Sequence, residues 1–335
     1  MRYTIVGAGA IGGYLGAKLA LAGEEVTFIA RNRNLAAINA RGMTLHLPDG
    51  TSEQANNVRA VQDAAEAGPQ DVVLLTTKAH QLLDLVPGMQ ALFGPETMVV
   101  SMVNGIPWWY FQKLGGAYDA QQLRSVDPDG ALGAGIDVKR IIGGIVYPAA
   151  ELLEPGVVKV IEGNRFTLGE LDNQRSPRIE ALSKSMMAAG FKAPVSRDIR
   201  SEIWVKLWGN LTFNPVSALS HATLEDICSY PLTRELARRM MEEAQRVGEK
   251  LGVTFKVSVD QRIAGAQAVG AHKTSMLQDV EQGRALELEA LLGSVVELAR
   301  ITDTPTPTID AIYAVTSLLS HTLTQQGGKL AVQSA

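Results

Sequence analysis

One cysteine in 335 residues, Cys228, leaves the chain unable to close an internal disulfide, so its stability must come from packed cores. With no neighbouring His or Cys partner in the sequence, Cys228 reads as a core or helix-face residue rather than a nucleophile. Basic residues are not in surplus: 31 Lys and Arg stand against 35 Asp and Glu, a net charge of −4, which argues against a nucleic-acid surface. The basic clusters are short, at 31–33 and 234–239, and the second has the look of a solvated helix face. No apolar run approaches the roughly 18 residues of a membrane span. Strand composition begins within two residues of Met1, leaving no room for a targeting peptide, so a soluble, cytoplasmic protein with neither nucleic-acid nor membrane partner is expected. The histidines, His46, His80, His221, His272 and His321, lack metal-ligand spacing, and no metal is expected.

What is present begins at the first thirty-one residues. Tyr3-Thr4-Ile5-Val6 is apolar and β-branched, Tyr14 to Leu21 carries helix formers, and Val26-Thr27-Phe28-Ile29 returns to strand composition after a stop at Gly23. Between the first strand and the helix lies Gly7-Ala8-Gly9-Ala10-Ile11-Gly12. A G-x-G-x-x-G alone is weak, but in a strand–helix–strand unit each glycine gains a task. Gly7 makes the tight turn, Gly9 lets backbone approach a pyrophosphate, and Gly12 allows close helix–strand packing. The phosphates would lie on the amides of the helix N-terminus, including those of Ala10 and Ile11. At the end of the second strand, where a carboxylate would take a ribose 2′-hydroxyl, the chain has Ala30-Arg31-Asn32-Arg33. A guanidinium suits a 2′-phosphate, so NADP (as NADPH) is expected over NAD, with Arg31 as its contact. The alternative is that Arg31 and Arg33 are solvated charges opening the next helix, a reading that fits Arg33 equally well.

Up to about residue 197 short apolar runs alternate with helical stretches, as in a mostly parallel sheet with crossover helices. Further strands are expected at 44–47, 71–76, 98–102, 140–148, 156–162 and 165–168. From Arg200 onward long amphipathic runs, at 203–219, 232–251, 276–284, 285–301 and 308–325, carry few strand signals. The expected fold is therefore α/β, a Rossmann-type N-terminal domain over 1–197 with an all-helical C-terminal domain over 198–328 and a tail at 329–335. Pro215 inside the first long helix predicts a kink. The stretch from Trp108 to Val138 is expected to be a long excursion over the surface. Its opening Trp108-Trp109-Tyr110-Phe111 is either a packed cap or interface, or a wall of the substrate pocket.

Reduction of a carbonyl beside such a cofactor needs a group that can give a proton to the oxygen, held by polar residues that fix the substrate. Lys206, Asn210 and Asn214 recur at i, i+4 and i+8, which puts an ammonium and two amides on one helical stripe flanked by Trp204, Leu207, Trp208 and Leu211. Buried amides need partners, and a ligand is one source. The alternative is a kinked helix whose amides serve the backbone broken at Pro215, with Lys206 reaching to solvent. A second polar set runs from Ser275 to Glu289. Within it Glu287 either pairs with Lys206 or belongs to a solvated acidic face.

Taken in order, Gly7-x-Gly9-Ala10-Ile11-Gly12, Lys78 after Leu74-Leu75-Thr76-Thr77, Asn104-Gly105, Lys206-x-x-x-Asn210-x-x-x-Asn214-Pro215, Ser275-Met276-Leu277-Gln278-Asp279 and Glu287 resemble the ketopantoate reductase (2-dehydropantoate 2-reductase) family over nearly the whole chain. The resemblance implies NADPH-dependent reduction of 2-dehydropantoate, or a closely related 2-oxo acid, in pantothenate biosynthesis. It implies Lys206 as general acid and Glu287 as the carboxylate that positions it. Asn104, Asn210, Asn214 and Ser275 are implied to hold the substrate, and Lys78 and Asn104 to border the nicotinamide. The substrate would occupy a cleft between the domains. Leu286, Glu289 and Leu292 stand where members acting on ketopantoate commonly have Thr, Asp and Asn, which implies a less polar pocket. Two rival readings are a different two-domain dehydrogenase, acting on a 3-hydroxy acid or polyol phosphate, and a non-catalytic NADP sensor. The apolar faces of the C-terminal helices fit either one core or a homodimer interface.

Overall fold

The computed structural model describes residues 1–329, so the tail expected at 329–335 lies, beyond Lys329, outside the described residues. The chain divides into two units. The first comprises Met1–Val103, Pro107–Gln122 and Asp127–Ile199; the second comprises Asn104–Ile106, Leu123–Val126 and the chain from Arg200 onward.

All the strands of the described residues lie in the first unit. In chain order they are β1 (Arg2–Val6), β2 (Glu25–Ile29), β3 (Met43–His46), β4 (Ser52–Ala55), β5 (Val58–Val61), β6 (Gln70–Leu75), β7 (Phe93–Ser101), β8 (Ile141–Val146), β9 (Ala149–Glu154), β10 (Val157–Glu162) and β11 (Phe166–Gly169). The helices between them are α1 (Ala10–Leu21), α2 (Asn32–Arg41), α3 (Leu82–Met89), α4 (Ala131–Gly135) and α5 (Pro177–Ala188). The main sheet has the order β11-β8-β7-β6-β1-β2-β5, parallel except where β11 runs against β8. From β1 the chain builds outward to β2 on one side and then crosses to β6 on the other, so the switch point, where open α/β sheets hold ligands beyond the strands' carboxyl ends, lies between β1 and β6. This is the Rossmann-type topology. Its central strands are buried on both faces, which is why β1, β6 and β7 read as continuous apolar runs instead of alternating ones.

A second sheet, β4-β3-β10-β9, lies against α1. Gly13 makes this fit possible, since a Cβ there would come within 2.5 Å of Met43 Cε and 2.8 Å of Val158 Cγ2. Three strands, β4, β5 and β9, were absent from the sequence expectation. Each occupies a sheet edge, and β4 (Ser-Glu-Gln-Ala) and β9 are too polar to announce themselves by apolar composition.

The stretch from Trp108 differs from the expected surface excursion. Trp108, Trp109, Tyr110 and Phe111 are all buried in the first unit, and Trp109 closes on β8, where a Cβ on Gly143 would approach its ring to 2.8 Å. Farther on, the buried Asp127 carboxylate accepts from the Leu132 and Gly133 amides and so caps α4. The aromatic run is therefore core.

The second unit is helical throughout its described residues: α6 (Ile199–Ser220), α7 (Leu224–Ser229), α8 (Pro231–Lys250), α9 (Val259–Ala268), α10 (Ser275–Glu281), a π-helical turn at Glu289–Gly293, α11 (Ser294–Ile301) and α12 (Pro307–Gln325). No helix among the described residues is long and apolar enough to cross a membrane. α6 continues through Pro215 to Ser220. Its apolar stripe is anchored by Trp208, stacked on Phe255 at 4.3 Å between ring centroids, and by Trp204, edge-on to the same ring. The buried Glu243 accepts from the Thr308 and Ile309 amides at the start of α12, where the helix dipole favours an anion. Glu297 holds the Leu123–Val126 segment through the Arg124 and Ser125 amides.

Candidate active site

In the first unit the glycine turn connects β1 to α1. Gly7 has φ +109°, a conformation open mainly to glycine, and its carbonyl accepts from Thr76 Oγ1 at 2.8 Å. A Cβ on Gly12 would lie 2.0 Å from the Gly7 carbonyl oxygen, so the helix can approach the turn only without a side chain there. Gly9 has open space where its Cβ would point, as a backbone meant for close approach requires. α1 has no side-chain N-cap and no acidic residue in its first turn. The amides of Ala10, Ile11 and Gly12 therefore face outward without an intrahelical acceptor.

Arg31 follows β2, exposed, and makes no ion pair among the described residues. Asn34, which the sequence reading passed over, donates to the Ala8 carbonyl at 3.0 Å and so ties α2 to the turn, while its Oδ1 is buried without a hydrogen-bond partner. Thr77 Oγ1 and Ser101 Oγ, at the carboxyl ends of β6 and β7, are buried and unsatisfied as well. Orphaned polar atoms around a switch point, beside uncapped amides and a guanidinium, fit a dinucleotide. Lys78 follows Thr77 and opens the short turn at Ala79–Gln81, its amide bonded to Gln81 Oε1.

In the second unit the structure brings together residues separated by more than 180 positions. Lys206 Nζ donates to Asn104 Oδ1 at 2.5 Å, and Asn104 Nδ2 lies 3.5 Å from Glu287 Oε2. The chemistry fixes how the amide is turned, because an ammonium can only donate and a carboxylate only accept. Burial pushes the Lys206 ammonium down to about 8, and Glu287 opposes that by favouring the charged form. Asn214, buried on the same stripe, donates to Ser275 Oγ at 3.3 Å, and Ser275 is the exposed first residue of α10. Asn210 lies between Lys206 and Asn214, and its side chain makes no hydrogen bond among the described residues. Beside it Gly209 leaves room for the Arg262 guanidinium, whose Nη2 would be 2.2 Å from a Cβ at that position. Nothing in the spacing of the sequence announces Arg262, which arrives from α9.

Of the three residues expected to make the pocket less polar, the two leucines are packed into the unit and Glu289 is exposed. Leu292 is wholly buried and Leu286 nearly so, and Glu289 accepts from the Tyr313 hydroxyl at 2.9 Å.

A nucleotide turn in one unit and a half-buried lysine with amide and carboxylate partners in the other define a nucleotide-dependent oxidoreductase. Residues 3–173 match the model of the family described as ketopantoate reductase PanE/ApbA, and residues 198–320 match that of its C-terminal part. A Mesorhizobium japonicum protein named 2-dehydropantoate 2-reductase is 52% identical over 321 residues, spanning 96% of this chain and 98% of its own. A Ralstonia solanacearum crystal structure with the provisional name ketopantoate reductase superposes with a TM-score of 0.91 at 39% identity, covering 96% of this chain and 98% of that one. D-mandelate dehydrogenase, solved with NADH and anilino(oxo)acetate, shares the fold at a TM-score of 0.83 and 21% identity, covering 97% of this chain and 100% of that one. The chain belongs to the ketopantoate reductase family.

Proposed function

We propose that this chain reduces 2-dehydropantoate, or a closely related 2-oxo acid, to the 2-hydroxy acid with NADPH, and that Lys206 is the general acid. The observation that carries this reading is the Lys206 ammonium, bonded to Asn104 with Glu287 next in line and with its proton affinity lowered by burial.

Gly7, Gly9, Ala10, Ile11 and Gly12 would hold the pyrophosphate, Arg31 the 2′-phosphate, and Lys78 and Asn104 would border the nicotinamide. Held there, NADPH would supply the hydride that C2 of the oxo acid accepts. Lys206 gives the proton from Nζ to the C2 oxygen, which becomes the hydroxyl, and the neutral amine then recovers a proton from solvent. A donor near pH 8 yields its proton more readily than an ordinary lysine while remaining charged at neutral pH. Glu287 keeps the ammonium charged, and Asn104 aims it. Asn210, Asn214 and Ser275 offer amides and a hydroxyl to the substrate's carboxylate and hydroxyl. The retention of both Lys206 and Glu287 favours an enzyme over a sensor.

Loss of NADPH absorbance with a panel of 2-oxo acids tests the assignment. Turnover is expected with 2-dehydropantoate or a near analogue and a higher kcat/KM for NADPH than for NADH. No turnover across the panel would reject the reaction, and a preference for NADH would reject the role of Arg31. A homodimer is the assembly we propose, on the ground that Tyr230 and Leu232 are 59% and 72% exposed at the start of α8. Sedimentation velocity checks it.

A further inference from the structure

Asn104 is aimed at Lys206 by a short segment, Asn104–Ile106, and that segment is held at one place on the helical turn that directly follows Glu287. The Ile106 amide donates to the Ala290 carbonyl at 2.9 Å. In a regular α-helix that carbonyl would accept from the Ser294 amide four residues on. Here the Ser294 amide goes instead to Glu289, five residues back, in the π-helical turn Glu289–Gly293. The wider register takes the Ser294 amide away from Ala290, whose carbonyl accepts both the Ile106 amide and the Ser294 hydroxyl, the latter at 2.8 Å.

Gly105 sits against the same peptide group. Its φ is +84°, and a Cβ would lie 2.1 Å from the Ala290 oxygen and 2.5 Å from its carbonyl carbon. Those atoms are backbone and cannot swing aside as a flexible side chain would, so the segment reaches Ala290 only because residue 105 is glycine. Glu287 belongs to the adjoining turn, where its own carbonyl accepts from the Leu291 amide at 3.2 Å. Asn104 and Glu287 are thereby referred to one backbone anchor within a few residues of each. Single-turn π-helices are frequent at functional sites, and this one has an identifiable use.

We infer that Gly105 and the π-helical turn at Glu289–Gly293 form a clamp that positions Asn104 between Lys206 and Glu287, making Gly105 a positioning residue for proton transfer. The inference rests on the reading of Lys206 as proton donor. Gly105 touches none of the reacting atoms; it acts through Asn104. An added methyl would lift the segment off Ala290 and carry the Asn104 amide away from Nζ.

The test is a double-mutant cycle on kcat in the full-length enzyme, with NADPH and the oxo acid saturating, using Gly105→Ala, Asn104→Ala, the pair, and Lys206→Ala as reference. Gly105→Ala is expected to lose on the order of a hundredfold in kcat, the cost of a displacement of about 1 Å in a catalytic group, while its Kd for NADPH is unchanged. In the Asn104→Ala background the same change should cost less than about twofold. An equal loss in both backgrounds would overturn the clamp, because Gly105 would then act without Asn104. Wild-type kcat for Lys206→Ala would reject the proton-donor reading itself. Loss for Lys206→Ala with normal turnover for Gly105→Ala would reject the clamp alone. If Gly105→Ala does not fold, amide exchange in the unaltered protein decides: Ile106 should be protected like the amides of α11, and exchange at an open-loop rate would overturn the inference.

Discussion

Replacing Glu287 by Gln removes one negative charge near Lys206 and keeps the side chain's size. The two charges are linked through the Asn104 amide, 2.5 Å from Nζ on one side and 3.5 Å from Oε2 on the other. Allowing roughly 2.3 Å across the amide, they stand at most about 8 Å apart. At an effective dielectric of about 20, a pair at that distance interacts by about 2 kcal/mol. Since about 1.4 kcal/mol corresponds to one pH unit, the midpoint for Lys206 should fall by about 1.5 pH units. The sign follows from the charge. Glu287 favours the ammonium, so its removal lets the proton leave at lower pH. The assay is kcat/KM for the oxo acid, with NADPH saturating, from pH 5.5 to 9.5. For the unaltered enzyme it should be level below about pH 8 and fall above it, as the acid form is lost. For Glu287→Gln the fall should begin about 1.5 pH units lower, making the variant about eightfold slower at pH 7.5 from this cause alone. A loss persisting on the acid plateau would measure misplacement of Lys206 separately. A midpoint that stays put or moves upward would refute the electrostatic argument.

Three further outcomes follow from the same structure. Lys206→Met should lose at least about a hundredfold in kcat and keep its affinity for NADPH. It should also be the more stable protein at pH 7. A lysine that holds its proton to 10.5 when unfolded but only to about 8 when folded weakens the native state below pH 8, by about 3 kcal/mol. The native state binds fewer protons between those two values, so the unaltered protein should regain that difference as pH rises from about 8 to 10.5, as urea unfolding of both proteins would read. Arg31→Ala should lower kcat/KM for NADPH by ten- to a hundredfold, the order of one charge-assisted hydrogen bond, and leave kcat/KM for NADH nearly unchanged. Trp109→Ala should cost about 3–5 kcal/mol of stability without altering KM for the oxo acid, measured by chemical unfolding and steady-state kinetics. A raised KM with normal stability would return the aromatic run to the substrate pocket.

The sequence by itself determined the nucleotide end of the molecule. The turn between β1 and α1 and the Arg31 position are local: the work of Gly7, Gly9 and Gly12 is done within one strand–helix–strand unit, apart from the close approach of Thr76 and Thr77. The change from strand to helix near residue 200 was likewise legible, because apolar periodicity reports which faces a segment must bury. Family resemblance named Lys206, Asn104 and Glu287 as a set, whereas spacing alone left a solvent-facing alternative open for both the lysine and the carboxylate.

Tertiary structure decided what pattern could not. The edge strands β4, β5 and β9 take their conformation from neighbours and carry little apolar signal of their own. Trp108 to Phe111 read in sequence as either a packed cap or a pocket wall and are core in the fold, since burial depends on which surfaces close over them. Leu286, Glu289 and Leu292 serve packing and a bond to Tyr313. The glycine that follows Asn104 shows its purpose only against the Ala290 carbonyl, which a π-helical turn releases from the Ser294 amide. Such a contact joins residues 185 positions apart, and no local propensity encodes it. The chain specifies its nucleotide turn within thirty residues, but the reach of Lys206 toward Asn104 and Glu287 exists only once the helices have packed.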